Sequence, residues 1–368
     1  MSLQGIEHRE RLPHQEVDQL RPGEIRTDSK ELVTDAHGRM FYRERVSVGD
    51  VSSGEAREKM NRIAEAWERA LIDHPEWPTP ILEDGHLIVD SSNKAAMDLY
   101  YDEHGRPTQM LEWGGYILQA IALKPLQDLQ HGADFLTLGR HDARTLELMT
   151  HMPDGIGLRS RQHIYARQVE ARAAQADTQT LEIVSLGSGA AVPNIQATRA
   201  VEDTLEKAIH WDLYDVDPTA LRYAAKMTTA ASFRSSTFEF GRTLPQNHED
   251  EPQFAGRSYI EARSRENGSL DMVDALGLWE YLDFKQAKAF LKMLYPKLKE
   301  EGSMIVSNMR TERPFPHYNQ RAVGWPKLYM RTEAELIDIV EAAGINPMNV
   351  TITTPEDGVY AVMEIKKA

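Results

Sequence analysis

Cysteine is absent from the 368 residues of this chain. Disulfide frameworks, thiolate zinc sites and cysteine nucleophiles are therefore excluded, and the absence fits a reducing compartment. Positive charge is also scarce, because 42 Lys and Arg stand against 57 Asp and Glu, which gives a net charge of -15. An acidic surface repels a polyanion, so we expect no nucleic-acid partner.

Long apolar runs are missing as well. No stretch approaches the roughly 20 apolar residues that a membrane span requires. The polar N-terminus lacks the apolar core of a signal peptide, so we expect a cytoplasmic protein whose residues 1–35 form a poorly ordered tail. No H-E-x-x-H or similar ligand spacing occurs, and we therefore expect no metal.

The sequence divides near residue 157. Residues 36–156 are predicted to form a mainly helical N-terminal or lid domain, in which Met60, Ala64 and Leu71 recur at helical spacing. Residues 157–368 alternate short apolar runs with helical segments. That alternation is typical of a mainly parallel sheet with helices on both faces, so we expect an α/β domain.

Two glycines follow the first of these strands. LEIVSL ends in Gly187-Ser188-Gly189, and the next strand ends at Asp215. Such glycines let a ligand approach the backbone, and an acid at the second strand end can bind both ribose hydroxyls. A nicotinamide dinucleotide and S-adenosylmethionine both satisfy this pattern. Against the dinucleotide, Val192 replaces the small sixth residue of G-x-G-x-x-G/A.

From residue 157 onward the chain resembles class I S-adenosylmethionine-dependent methyltransferases. The matching segments are LEIVSLGSGAA, LYDVDPTAL, DMVDALGLWEYLD and YPKLKEEGSMIVSN, in the family's order. The resemblance implies a Rossmann-like core with a seven-stranded sheet and S-adenosyl-L-methionine as cofactor. It assigns cofactor contacts to the following residues: Gly187, Ser188, Gly189, Asp215, Val216, Leu276 and Gly277.

A narrower resemblance covers ALGLWEYLD, Asn308 and GWPKLYMRTEAEL. These segments are similar to methyltransferases assigned to the synthesis of 3-hydroxy fatty acid methyl esters, and they imply O-methylation of a carboxylate. Two features depart from the family pattern. Ser185 stands where the first motif usually has an acid, so another group must bind the cofactor's ammonium. No acid–aromatic adenine motif follows the third strand.

The remaining candidates come from segments next to the predicted cofactor site. Arg159 and Tyr165 lie on the helix before the first strand, where an arginine could bind the cofactor's carboxylate, although a solvated charged face is an alternative. Arg161 and His163 share that helix. Candidate catalytic residues are Glu280, Tyr281 and His317. Candidate substrate-binding residues are Trp279, Asn308, Trp325 and Tyr329, with a core position as the alternative for Trp279.

The sequence leaves the methyl acceptor open. We expect a small or lipid-like substrate methylated on oxygen, preferably a carboxylate, which needs no base because it is ionised at neutral pH. The alternatives are N- or C-methylation in a natural-product pathway, a nicotinamide-dependent oxidoreductase, and a methyltransferase-like binding protein without catalysis. Homo-oligomerisation also stays open.

Overall fold

A nine-stranded sheet forms the centre of the molecule. The computed structural model describes residues 20–52, 54–137, 139–242, 262, 264–325 and 328–368. In chain order the strands are β1 (Ile25–Thr34), β2 (Met40–Val48), β3 (Ile81–Glu83), β4 (His86–Ile88), β5 (Thr180–Leu186), β6 (Ala208–Asp215), β7 (Thr237–Arg242), β8 (Leu270–Ala275), β9 (Leu298–Met309), β10 (Val350–Pro355) and β11 (Tyr360–Lys366).

The order of strands in the nine-stranded sheet is β1-β2-β10-β11-β9-β8-β5-β6-β7, whereas β3 and β4 pair with each other in a separate two-stranded sheet. Strands β5 to β9 pair in parallel, and β11 runs antiparallel between β9 and β10. The mainly parallel sheet is therefore confirmed. Residues 157–368 contribute seven of its nine strands, which is the number predicted for this part of the chain, so the sheet as a whole is larger than predicted. Two N-terminal strands extend the sheet, because β2 pairs in parallel with β10 and β1 pairs with β2.

The prediction of a poorly ordered tail over residues 1–35 was wrong for the second part of this range. Residues 1–19 lie outside the described residues, whereas Ile25–Thr34 forms a strand along β2. Arg39 and Arg43 continue this attachment by pairing with Asp338 and Glu333 of the last helix. A polar segment with few apolar residues is ordered here because its backbone hydrogen bonds complete the sheet edge.

Helices cover both faces of the sheet. They are α1 (Gly54–Asp73), α2 (Lys94–Tyr100), α3 (Gln109–Gly114), α4 (Lys124–Gln127), α5 (Ala143–His151), α6 (Pro153–Gln175), α7 (Val192–Leu205), α8 (Pro218–Ala231), α9 (Phe284–Leu294) and α10 (Glu333–Ala342). Successive strand residues point to opposite faces, so Val184 joins the core under α9 and α10, whereas Ile183 joins the core under α6 and α7.

The N-terminal helices pack against the sheet domain through a shared core. Leu71 and Trp113 belong to one buried cluster with Val323 and Tyr360 from the C-terminal half. Tyr100 adds a hydrogen bond from its hydroxyl to the Val323 carbonyl, at 2.6 Å. The helical region is therefore not separated from the sheet by a boundary with few contacts. No helix in the described part of the chain is long and apolar enough to span a bilayer.

The segment from Gln109 to Gln130 is broken, although its composition predicts one long helix. Helix α3 ends at Gly114, residues 120–123 form a 3-10 turn, and α4 covers four residues only. A glycine pair, Gly114-Gly115, removes helix propensity at the break, and Pro125 supplies no backbone N–H. The broken form matters because this segment reaches the sheet's carboxyl edge.

Candidate active site

The sheet has one topological switch point between β5 and β8. From β5 the chain continues to β6 on one side, whereas β8 and β9 lie on the other side. Crevices at such points open beyond the carboxyl ends of the strands and commonly bind ligands. Here a cavity begins at this edge, lined by the turn after β5, the ends of β6 and β8, and the N-terminal segment 117–127.

The turn after β5 is built by its glycines. Gly187 and Gly189 adopt φ values of 71° and 56°, in the region that L side chains rarely occupy. A Cβ on Gly187 would lie 3.0 Å from the Leu278 Cβ, so the position also lacks room. The N–H groups of Gly187 and Ser188 donate to the Tyr214 carbonyl, which fixes the turn against β6. All three turn residues line the cavity.

Asp215 lies beside this turn at the end of β6. Its carboxylate accepts hydrogen bonds from the N–H groups of Gly189 at 2.7 Å and Asp217 at 2.8 Å. Burial raises the pKa of Asp215 to about 6, although the backbone donors oppose this shift. Asp215 and the adjacent, half-exposed Val216 both line the cavity. The carboxylate is therefore positioned to meet a ligand that enters the cavity.

The N-terminal segment covers the cavity. Ile117, Leu118, Ala120, Leu123 and Gln127 contribute to its wall. The segment is attached to the sheet domain by a hydrogen bond from the Ile121 N–H to the Asp217 side chain, at 3.2 Å. Asp217 also caps α8 by accepting a hydrogen bond from the Thr219 N–H. A ligand in this cavity would lie between the sheet edge and the segment.

The wall at β8 carries Leu276, Gly277 and a buried arginine. Arg161 of α6 donates from Nη1 to the Leu276 carbonyl at 2.7 Å, and its guanidinium lies over the Tyr360 ring. Its Nε has no hydrogen-bond partner among the described residues. Arg161 is the one cationic side chain among the described residues that line the cavity. It therefore offers the wall's positive charge to an anionic group.

Asp274 is a buried acid in the cavity wall and was not among the predicted site residues. Its two carboxylate oxygens accept from the Ser185 hydroxyl at 2.8 Å and the Tyr165 hydroxyl at 2.6 Å. Burial raises the pKa of Asp274 to about 7, against the effect of these two donors. The signal that could have found it is its position in DMVDAL, one strand away from the glycine turn.

Two residues predicted on α6 do not line the cavity. Arg159 is paired with Asp50 through Nε and Nη2, at 2.7 and 2.8 Å, and donates to the Thr150 carbonyl. Arg159 therefore does not take the predicted position in the cavity, whereas Arg161 of the same helix lines the wall. Tyr165 is fully buried and holds Asp274, so it lies behind the wall.

The predicted substrate residues separate into two groups. Trp325 lines the cavity beside Tyr281, the candidate catalytic residue that also lines it. Trp279 is instead fully buried against Phe290, which is the core position considered as its alternative. The Asn308 side chain accepts a hydrogen bond from Arg331, and Tyr329 is 44% exposed at the surface. Trp279, Asn308 and Tyr329 therefore do not form the cavity wall.

Neither candidate base reaches the cavity. Glu280 is buried, its Oε2 has no hydrogen-bond partner in the described structure, and burial raises its pKa to about 7. His317 is half-exposed and pairs with Glu68 of α1 at 2.8 Å. Neither Glu280 nor His317 is among the residues that line the cavity, and His317 instead joins the C-terminal half to α1. A direct catalytic role for either one is not supported by these positions.

The fold and the site define a Rossmann-like α/β protein with a ligand cavity at the switch point of its sheet. Comparison with family models and with curated proteins finds no match. A solved structure of a possible exported protein from Bordetella parapertussis matches with 15% identity and a TM-score of 0.53, over 85% of this chain and 97% of that one. This similarity concerns the fold alone, and the cytoplasmic location stays a prediction.

Two further solved structures match at lower scores. Magnesium protoporphyrin IX methyltransferase from Synechocystis PCC 6803, crystallised with bound S-adenosylmethionine, has a TM-score of 0.39 and 14% identity, over 58% of this chain and 83% of that one. An S-adenosylmethionine-dependent methyltransferase from Leishmania major has a TM-score of 0.40 and 12% identity, over 79% of this chain and 96% of that one.

Proposed function

We propose that this chain is an S-adenosylmethionine-dependent methyltransferase acting on a small or lipid-like molecule. The observation that carries the proposal is the joint position of the glycine turn and the Asp215 carboxylate in one covered cavity at the switch point. A carboxylate there suits the two ribose hydroxyls of an adenosyl group. The glycine turn leaves the backbone accessible to the methionine part.

The cavity's own charges fit the amino-acid end of this cofactor. Arg161 supplies a buried positive charge with an unpartnered Nε, which suits a carboxylate. Leu276 and Gly277 lie at the end of β8, where the resemblance assigns the methyl group. The bound cofactor would supply a sulfonium methyl, and the protein's part is to align the acceptor with it and to exclude water.

The wall also bears on the acceptor. No histidine or lysine is among the described residues that line the cavity, and Glu280 lies outside it. An acceptor that must lose a proton would find only the carboxylates of Asp215 and Asp274 as bases among the described lining residues, and the cofactor would occupy Asp215. A carboxylate acceptor needs no base, because it is already ionised at neutral pH. Apolar residues such as Leu118, Leu278 and Phe290 line much of the wall. We therefore favour O-methylation of an apolar carboxylic acid, ahead of N- or C-methylation.

Isothermal titration tests the cofactor assignment. We expect S-adenosylmethionine and S-adenosylhomocysteine to bind in the micromolar range. Asp215→Asn should weaken both at least about tenfold, because it removes the charged acceptor for the ribose. Asp217→Asn is the matched control, since asparagine caps a helix as well as aspartate and affinity should stay unchanged. A folded wild-type protein that binds neither compound would refute the proposal.

The acceptor is tested by transfer of a labelled methyl group from the cofactor. We expect label in esters when medium- or long-chain carboxylic acids are offered, and much less with the matching alcohols or amines. Preferential labelling of an amine or a carbon acid would overturn the carboxylate assignment and leave the methyltransferase assignment intact.

A further inference from the structure

The first glycine motif of this chain lacks its usual acid, and an acid stands directly beside the gap. Ser185 occupies the position two residues before Gly187. In the sheet, Ser185 of β5 is the register partner of Asp274 of β8. Register partners on adjacent parallel strands point their side chains to the same face of the sheet. The Ser185 hydroxyl donates to the Asp274 carboxylate at 2.8 Å, so the two side chains meet.

We propose that Asp274 binds the α-ammonium group of the cofactor, in place of an acid at position 185. This inference rests on the methyltransferase function proposed above. Asp274 lines the same cavity as Asp215 and Arg161. Arg161 donates a hydrogen bond to the carbonyl of Leu276, which directly follows β8 and lies two residues beyond Asp274. One strand end therefore presents a negative and a positive group, which suits the two charges of an amino acid.

The Asp274 carboxylate can accept further hydrogen bonds in addition to the two that it makes. Each carboxylate oxygen has two lone-pair sites, and the Ser185 and Tyr165 hydroxyls use one on each oxygen. Tyr165 in turn accepts from the Asn194 side chain at 3.5 Å, and Asn194 also lines the cavity. These contacts fix the orientation of the carboxylate before a ligand arrives, which lowers the entropy cost of binding.

Burial makes an ammonium ligand a suitable partner for this group. Asp274 is 2% exposed, and no described cation forms a salt bridge with it. The structural alternative is an acid that only holds Tyr165 and Ser185 in the core. If that alternative holds, substitution of Asp274 changes the affinity equally for ligands with and without the ammonium group. The two roles can therefore be separated by experiment.

The experiment is a double-mutant cycle between protein and ligand, measured by titration calorimetry. The ligands are S-adenosylhomocysteine and its analogue lacking the α-amino group. Asp274→Asn should lower the affinity for S-adenosylhomocysteine at least about tenfold and should change the affinity for the deaminated analogue little. An equal loss for both ligands would overturn the role of Asp274. If wild type binds neither ligand, the proposed function fails instead.

A second variant moves the acid back to the family's position. Ser185→Asp combined with Asp274→Ser exchanges the two side chains across the register and keeps their atoms in the site. We expect this exchange to restore at least part of the affinity that the Asp274→Ser variant alone loses, with unfolding temperature as the folding control. A stable exchange variant whose affinity stays at the level of Asp274→Ser would count against the shared subsite.

Discussion

At the scale of single residues, the ionised Asp274 carboxylate lowers the free energy of unfolding. Its pKa is about 7 in the fold, against an ordinary value of 3.8. Between those pH values the folded state binds more protons than the unfolded chain. The free energy of unfolding therefore falls as pH rises from about 4 to about 7, and it stays lower above that range.

Removing this charge should stabilise the protein at high pH. Relative to wild type, Asp274→Asn should gain stability between pH 4.5 and pH 8, on the order of 3 kcal/mol, because asparagine does not ionise. Urea unfolding at both pH values measures the difference. The raised pKa values of Asp215 and Glu280 are present in both proteins and cancel. A difference independent of pH would show that Asp274 is not the titrating group.

Arg159 and Arg161 of α6 illustrate what a sequence can predict about a site. The sequence pattern predicts a helix here with an arginine near the cofactor. Two residues that are two positions apart in a helix differ by a rotation of about 200°, so their side chains point to nearly opposite sides. The rotation of the helix against the sheet decides that Arg161 enters the wall and Arg159 pairs with Asp50. Asp274 escaped prediction for a similar reason, because strand register cannot be read from either strand alone.

At the scale of elements, local chemistry predicted the sheet domain well. Asp283 and Thr332 begin α9 and α10 with capping boxes, and β5 to β8 lie where the apolar runs are. Such caps and alternations are short-range signals. The position of this segment over the cavity was not predictable, since its contact with Asp217 joins residues 96 positions apart in the chain.

This covering segment should respond to the cofactor. Residues 117–123 hold few regular backbone hydrogen bonds, and Leu118 is 64% exposed. A ligand beneath them would replace water against Ile117 and Leu123, so amide exchange over residues 117–123 should slow when S-adenosylhomocysteine is added. Exchange in α10, which packs on α9, serves as the control and should change little. Equal protection in both elements would point to global stabilisation only.

At the scale of the whole molecule, the two halves form one packed structure. The N-terminal strand β2 completes the edge of the C-terminal sheet, and the helices α1 to α3 share a core with Val359 and Tyr360. The sequence pattern changes near residue 157, where apolar residues at helical spacing are followed by short apolar runs that alternate with helical segments. The sheet does not follow that division, because a strand can pair with residues about 300 positions away.

Calorimetry should therefore show one unfolding transition for the full chain. A shared core and a shared sheet leave neither half stable after the other has unfolded, so unfolding should be cooperative. S-adenosylhomocysteine at about 100 times its dissociation constant should move the whole transition upward by roughly 3–4 °C, given the entropy change expected for a chain of this length. Two separate transitions, with only the later one shifted by ligand, would instead show that residues 36–156 and 157–368 unfold as independent domains.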